Sequence, residues 1–470
     1  MELNRKLPEG DLSGVINAAR NRVSLDVYDR IYSILYILTG YLYTEFFLFE
    51  KHFHDPALSL EIFTVLYFAL TLSYAHYKKA RVTRETLFWM SVTLIVSFRV
   101  SHVNGYICFP ARILSAGYYT YSLGNSFTDG AGTSDYLPFD LAGCFILMPF
   151  ASFFTPFRGA FELFRTKKEG TSLKEKLPVL RGILMGTLAL SVILPQLFSA
   201  DANFLKGLSD RLDEFIRQFD LDLDLIEFVF RTAFSLPVGC YLFSLLFNSA
   251  GGHRRGRISR ETADSIRKTV RGLPAVTVMV CIYMVAAVYM LFIAAQFRYL
   301  FGALTGHLYE GLTYSEYAVR GFWELCRVCL INLSILAFSF YAVKEDESAK
   351  IRTRACVLCV ISLALLGTAV SKMYMYISAY GLTPKRIISS VFLFWLVIFF
   401  VLVILDIYSS IGRIRMGVFT GAVLFTLLFS FDLNKGSERY NLKYGYESEA
   451  RAVREHEISD CHVYDVNDHY

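Results

Sequence analysis

The feature that most constrains this chain is its apolar runs of about 20 residues, repeated along most of its length. A helix of that length spans the roughly 30 Å hydrocarbon layer of a bilayer. In lipid every backbone N–H and C=O must be satisfied within the protein, so such runs fold as helices. Composition agrees: 54% of the 470 residues are hydrophobic and only 19% are charged, against about 25% charged in a soluble domain. The fold class is therefore all-α, a polytopic transmembrane helical bundle.

About eleven spans are expected, at 31–49, 57–77, 87–103, 139–156, 178–198, 225–248, 273–297, 322–342, 355–379, 387–408 and 416–432. Charge sets their orientation. The links 1–30, 78–86, 157–177, 249–271, 344–354 and 409–415 hold 28 Lys and Arg, and the alternate links 49–56, 99–138, 199–224, 298–321 and 372–386 hold 11. The positive-inside rule then places the N-terminus in the cytoplasm and the C-terminus outside. This divides the chain into a cytoplasmic segment 1–30, a membrane domain 31–432 and a polar tail 433–470. The first 30 residues lack an apolar run with a small-residue cleavage site, so no cleavable signal is expected and the first span acts uncleaved.

The long link 104–138 reads as a loop over the outer face, or as a segment dipping into it. Residues 201–219 have the spacing of an amphipathic helix. Arg260–Lys268 reads as a short helix in the most basic link, where anionic lipid is the natural contact. The net charge of +5 is accounted for by topology, and nucleic acid is not expected as a partner.

Several polar positions stand out near the membrane. Thr313-Tyr314-Ser315-Glu316 has the form of a capping box, in which Thr313 and Glu316 would accept backbone N–H groups at a helix start. Glu316, Arg320 and Glu324 then share a helix face, and Glu324 and Arg327 fall about one turn inside the eighth span, where charge is costly. Tyr380-Gly381-Leu382-Thr383-Pro384 reads as a tight turn, with Gly381 ending one helix, Thr383 capping the next and Pro384 in its first turn. Lys372, Tyr374, Tyr376 and Tyr380 would form an interfacial belt. Asp406, near the inner end of the tenth span, is expected to be paired or to snorkel, the alternative being a place on a polar pathway. Two Cys-x-x-Cys pairs, Cys326/Cys329 and Cys356/Cys359, fall at opposite ends of neighbouring spans, too far apart for one tetrahedral metal. They read as small buried side chains, and no metal or other cofactor is expected.

Gln296-Phe297-Arg298-Tyr299-Leu300-Phe301, the segment Tyr314–Leu325, the stretch Tyr376–Arg386 and Arg439-Tyr440-Asn441 occur in that order. Over about 270–445 this resembles the bacterial integral membrane family catalogued as domain of unknown function 4173, with its close relative 4153. The resemblance implies a multi-pass protein of a bacterial cytoplasmic membrane and brings no activity with it. The tail beyond Asn441 is shorter than the resemblance leads one to expect.

The preferred reading is a protein that transports or senses a small solute or ion. Its outer vestibule would be built from Arg298, Glu316, Arg320, Glu324 and Arg327, closed by Tyr380 and Arg386. The alternative is a non-transporting module that assembles with an envelope protein partner. Apart from that partner, the contact expected is the lipid bilayer. No nucleophile or metal-ligand cluster argues for catalysis, so the residues favour a non-enzymatic role.

Overall fold

The computed structural model describes residues 24–47, 56–101, 109–164, 223–295, 314–344, 347–409 and 412–446. These are helical throughout, apart from turns and one isolated bridge between Leu273 and Val343. The expected span 178–198, the expected helix 201–219 and most of the tail lie outside them. Six helical runs among the described residues are long and apolar enough to cross a membrane, or seven if one bent pair is counted. The chain falls into two units. The first comprises Met1–Ser101, Arg112–Gly132 and Phe139–Arg257; the second comprises His102–Ala111, Thr133–Pro138 and Ile258–Tyr470.

The first unit is built from α1 (Val27–Phe47), α2 (Pro56–Tyr77), α3 (Arg84–Ser101), α4 (Phe109–Ser122) and α8 (Leu223–Ser249), with a broken run between α4 and α8. That run is α5 (Leu137–Ala142), a π-helical turn (Gly143–Leu147), α6 (Met148–Ala151) and α7 (Thr155–Phe164). Helices α1 and α8 cross at glycines. A Cβ on Gly239 would lie 2.5 Å from the Tyr36 carbonyl oxygen, and one on Gly40 would lie 2.5 Å from the Gly239 nitrogen. Small residues are what let two helix backbones approach this closely.

Contacts between helix ends show which links share an end of this unit. Lys78, after α2, meets Asp26 and Asp29 at the start of α1. Thr86, at the start of α3, donates to the Ser122 carbonyl at the end of α4 (3.1 Å). Arg257 donates to the Phe127 carbonyl (2.7 Å). The links 78–86, 123–132 and 250–257 therefore lie together, at the end that the charge pattern assigns to the cytoplasm.

This corrects one expectation. The segment 104–138 is not a one-sided outer link. Its helix α4 runs antiparallel to α3, with Trp89 against Tyr118 and Thr86 against Ser122, and ends beside the link 78–86. Its 14 residues make about 21 Å of helix. The run Leu137–Glu162 is apolar and long enough to cross, as read for 139–156. Near its start, Asp140 accepts from Tyr121 and Thr128 (2.9 and 2.8 Å). At its other end, Glu162 pairs with Arg30 in the first turn of α1 (3.4 Å). Hydropathy passed over α4 because that helix buries its hydroxyls, with Tyr119, Tyr121 and Ser122 all at 0% exposure.

The interruption in Leu137–Glu162 frees carbonyls that α8 then satisfies. Tyr241 donates to the Phe145 carbonyl (3.0 Å), and Ser244 and Asn248 donate to the Met148 carbonyl (3.1 and 2.8 Å). These three residues recur at spacings of three and four, so one polar face of α8 compensates the π turn.

The second unit contains α9 (Arg260–Val270), α10 (Ala275–Ala295), α11 (Tyr314–Ala342), α12 (Ser348–Tyr380), α13 (Pro384–Ser409), α14 (Arg413–Phe429) and α15 (Leu433–Lys443). Its interior is apolar, formed by residues such as Ile282, Leu336, Leu358, Leu366, Leu396 and Phe400. Cys326, Cys329 and Cys359 pack in that core. One polar contact between α11 and α12 lies in it, Asn332 donating to Ser362 (2.8 Å). Lys372 is also fully buried, which corrects its placement in an interfacial belt; Tyr374, 73% exposed, fits one.

The ends of this unit are sorted by charge. At one end Leu273 meets Val343, Glu347 accepts from the Ala275 N–H (2.6 Å), and Arg352 and Arg413 both reach Asp406. Asp406 is thus paired, as expected. The short helix expected at Arg260–Lys268 is α9, capped by Ser259, which accepts from the Thr262 N–H (3.1 Å). It is tied down through Tyr136, whose hydroxyl donates to Asp264 (2.5 Å), and through Arg267, which lies over the rings of Tyr136 and Tyr341. At the opposite end is the turn 381–383. Helix α15, bent 68° from α14, folds against it.

Candidate functional site

The interior of the first unit differs in kind from that of the second. On α2, Thr64, Tyr67, Thr71 and Tyr74 are all buried, and Lys78 continues the row just past the helix end. Their spacing of three and four residues puts them on one stripe of the helix. On α1, Asp29, Ser33 and Tyr36 form a matching buried stripe. Side-chain hydrogen bonds link the stripes to their neighbours. Tyr32 donates to Ser73 (2.6 Å), Tyr67 is bonded to Thr120 of α4, and Thr71 meets Tyr119 of α4 (3.4 Å). The result is a hydroxyl-lined seam between α1, α2 and α4.

The seam ends on a charged cluster. Asp26 and Asp29 cap the start of α1 reciprocally: the Asp29 N–H donates to Asp26 Oδ1 (2.8 Å) and the Asp26 N–H to Asp29 Oδ2 (3.1 Å). A carboxylate is favoured there by the free N–H groups and the helix dipole. Asp29 is 1% exposed. Its Oδ1 also receives the Tyr74 hydroxyl (2.8 Å) and the Lys78 ammonium (2.6 Å). Lys78 reaches Asp26 Oδ2 at 2.6 Å as well. His253 completes the cluster from the link after α8, with Nε2 3.9 Å from Asp29 Oδ2.

Packing fixes the histidine ring. It stacks on Phe247, with centroids 4.0 Å apart and planes 18° from parallel. Gly251 must be glycine for this arrangement, since its Cβ would lie 2.8 Å from the Tyr74 hydroxyl and 3.1 Å from His253 Cδ2. Burial pushes His253 below the ordinary imidazole range, while the Asp29 carboxylate pulls the other way. For Asp26, burial acts upward but is outweighed by its bonds to Lys78 and the Asp29 N–H, so its carboxyl sits below the ordinary range.

The profile of a domain of unknown function, DUF4153, matches residues 60–446. The chain belongs to the DUF4153 family. The match takes in most of the first unit as well as the second, and so covers α4 and nearly all of α2 in the seam, while α1 precedes it. No curated protein and no solved structure matches the chain.

The residues singled out in this DUF4153 protein from sequence are placed unevenly. Arg298 lies outside the described residues. Glu316, Arg320 and Glu324 stand on α11, which begins at Tyr314 as the capping box expects, but their side chains are not among those described. Arg327 is exposed on the same helix. Tyr380 and Arg386 do come together. Arg386 donates to the carbonyls of Tyr380 and Gly381 (2.8 and 2.7 Å) and lies 4.1 Å from the centre of the Tyr376 ring. Gly381, at φ 73° and ψ −166°, occupies a region open essentially to glycine alone. Asn441 of α15 closes the turn by accepting from the Leu382 N–H (2.7 Å) and donating to its carbonyl (2.8 Å). Two blocks that carry the resemblance, Tyr376–Arg386 and Arg439-Tyr440-Asn441, thus form one packed motif. Among the described residues no three His, Cys, Asp or Glu gather so as to hold a metal ion.

The cluster of Asp26, Asp29, Tyr74, Lys78 and His253 was not anticipated. Its signal was available in part, because polar residues at 64, 67, 71, 74 and 78 mark one stripe of an otherwise apolar helix.

Proposed function

We propose that this DUF4153 protein moves a small solute or ion across the membrane, and that its polar route is the hydroxyl-lined seam of the first unit. The observation that carries this reading is Asp29, a carboxylate 1% exposed at the head of a buried row of hydroxyls. Lipid-facing helices gain nothing from such a row, whereas a pathway for a hydrated species needs hydroxyls and paired charges in the bundle interior. The broken run Leu137–Glu162 beside the seam also fits, since irregular backbone at membrane depth is tolerated where protein side chains satisfy it. The charges Glu316, Arg320 and Glu324 are a second candidate, as an outer vestibule, because their four-residue spacing places them on one face of α11.

The test is reconstitution in proteoliposomes, with capacitive currents recorded on solid-supported membranes after jumps in pH, Na+ or K+. Wild-type protein should give a current with at least one jump. Asp29→Asn should lose it while the protein still elutes as a single species, and Arg320→Ala measures the share of the vestibule. Silence of the wild type under every jump would overturn ion movement. An unchanged current in Asp29→Asn would remove the cluster from the route.

A further inference from the structure

We infer that the ion handled at the Asp29 cluster is the proton, taken up on Nε2 of His253, and not a metal cation; this rests on the functional reading above. The first argument is the chemistry of the groups that face Asp29. Hard metal cations need several oxygen acceptors around them. Around Asp29 stand donors: the Tyr74 hydroxyl and the Lys78 ammonium on Oδ1, and the Asp26 N–H on Oδ2. A metal ion would have to displace an ammonium held at 2.6 Å.

The second argument is His253 itself. Its Nε2 is buried with no hydrogen-bond partner among the described residues and faces Asp29 Oδ2 at 3.9 Å, beyond hydrogen-bonding distance. With the ring proton on Nδ1, a lone pair faces a carboxylate, an arrangement of two acceptors. A proton from a hydronium ion at the surface forms the Nε2–H bond and leaves water behind. Imidazole becomes imidazolium, and the mismatch becomes a charge-assisted contact. Release reverses the step.

The third argument is charge. The groups facing His253 are Asp26 and Asp29 of α1, Tyr74 of α2 and Lys78 after it, Phe247 of α8, and Arg255 on its own link. Within the hydrogen-bonded cluster, two carboxylates oppose one ammonium, so one added proton brings neutrality. Lys78 reaches both carboxylates at 2.6 Å, so it can stay on Asp26 while Asp29 turns to the imidazolium. Burial, which lowers the proton affinity of His253, makes the resting state the neutral one at pH 7 and confines uptake to the acid side.

Two measurements on the whole protein decide this. In proteoliposomes, a pH jump in a buffer of organic cations should drive a current, Na+ and K+ jumps should not, and His253→Gln should reduce the pH-driven current at least tenfold. A Na+ or K+ current that His253→Gln leaves unchanged would overturn the proton assignment while leaving transport standing. Thermal stability in nanodiscs from pH 5 to 8 tests proton uptake without any transport. Because the folded protein holds His253 below its unfolded value near 6.5, the unfolded chain binds more protons in that window. Stability should be full above about pH 6.5 and fall as the pH drops through it. His253→Gln should flatten that fall and Asp29→Asn should shift it. If no jump gives a current, the transport reading fails. A flattened profile then still supports proton uptake at His253, and an unaltered profile overturns it.

Discussion

Asn441→Ala should open the turn between α12 and α13 without touching the rest of the second unit. The magnitude follows from the geometry. Asn441 is fully buried, and its amide makes two bonds to one backbone residue, Leu382, at 2.7 and 2.8 Å. A net hydrogen bond contributes about 1 kcal/mol, so losing both removes about 2 kcal/mol from local stability. At 1.4 kcal/mol per decade, this raises the population of the open turn, and hence the exchange rate of the Leu382 amide, by about 30-fold. Hydrogen exchange followed by mass spectrometry on peptides covering 378–386 reads this directly. Peptides from α10 should exchange as before. Asn441→Asp sharpens the comparison, because it keeps the acceptor for the Leu382 N–H and replaces the donor by an oxygen facing the Leu382 carbonyl. It should open the turn at least as much as alanine at pH 8. A rise below about threefold in Asn441→Ala corresponds to less than about 0.7 kcal/mol. That would refute the view that this side chain holds the turn.

Three further outcomes are expected. Gly239→Ala brings a methyl group 2.5 Å from the Tyr36 carbonyl oxygen, so α1 and α8 must separate by about 1 Å at a cost of about 1–3 kcal/mol; a lower melting temperature in nanodiscs checks this, with Gly272→Ala, whose Cβ meets nothing within 4 Å, as the control. Gly436→Ala lies on the exposed face of α15 with open space around it and should stabilise that helix by about 0.5–1 kcal/mol, read as slower exchange in peptides covering 433–443. Asp406→Asn leaves Arg413, its side chain 12% exposed, without its carboxylate. The loss of thermal stability should shrink markedly when Arg413→Met is added, and equal losses in the single and double variants would show that the pair is not coupled.

Much of the second unit was legible in the sequence because its information is local. Gly381, Thr383 and Pro384 each state a backbone requirement, and the structure meets them with a glycine-only conformation, a cap and a helix beginning at Pro384. Arg267, Glu347, Arg352 and Arg413, from three links rich in charge, gather at one end of that unit as that charge implies. Asn441, by contrast, gave no sign of its partner 59 residues away. The side chains of Glu316, Arg320 and Glu324 are not among those described, so their spacing on α11 is still the argument for them.

The first unit was harder to read, and the reason is physical. Hydropathy measures how well a helix suits lipid, and α4 does not face lipid with its hydroxyls. A buried Tyr or Thr lowers the apolar score of a helix without exposing anything, because its hydroxyl is satisfied by a neighbouring helix or by the carbonyl one turn back, as Thr71 does with Tyr67 (2.8 Å). The run Leu137–Glu162 scores as a span from its own apolar side chains, and the polar partners of its carbonyls come from α8. Hydroxyl-rich sequence therefore marked a helix inside the bundle. The better signal is periodicity of polar residues within apolar helices. Applied to α1 and α2 it selects 29, 33 and 36 and 64, 67, 71, 74 and 78, and those two stripes meet at Asp29 and Lys78. An interior of that kind has little to offer as a membrane anchor that an apolar one would not. The second unit packs helices with few polar contacts in its core, so the hydroxyls of the first are not a general requirement of this chain's stability, and their concentration around one buried carboxylate is what directs the functional test there.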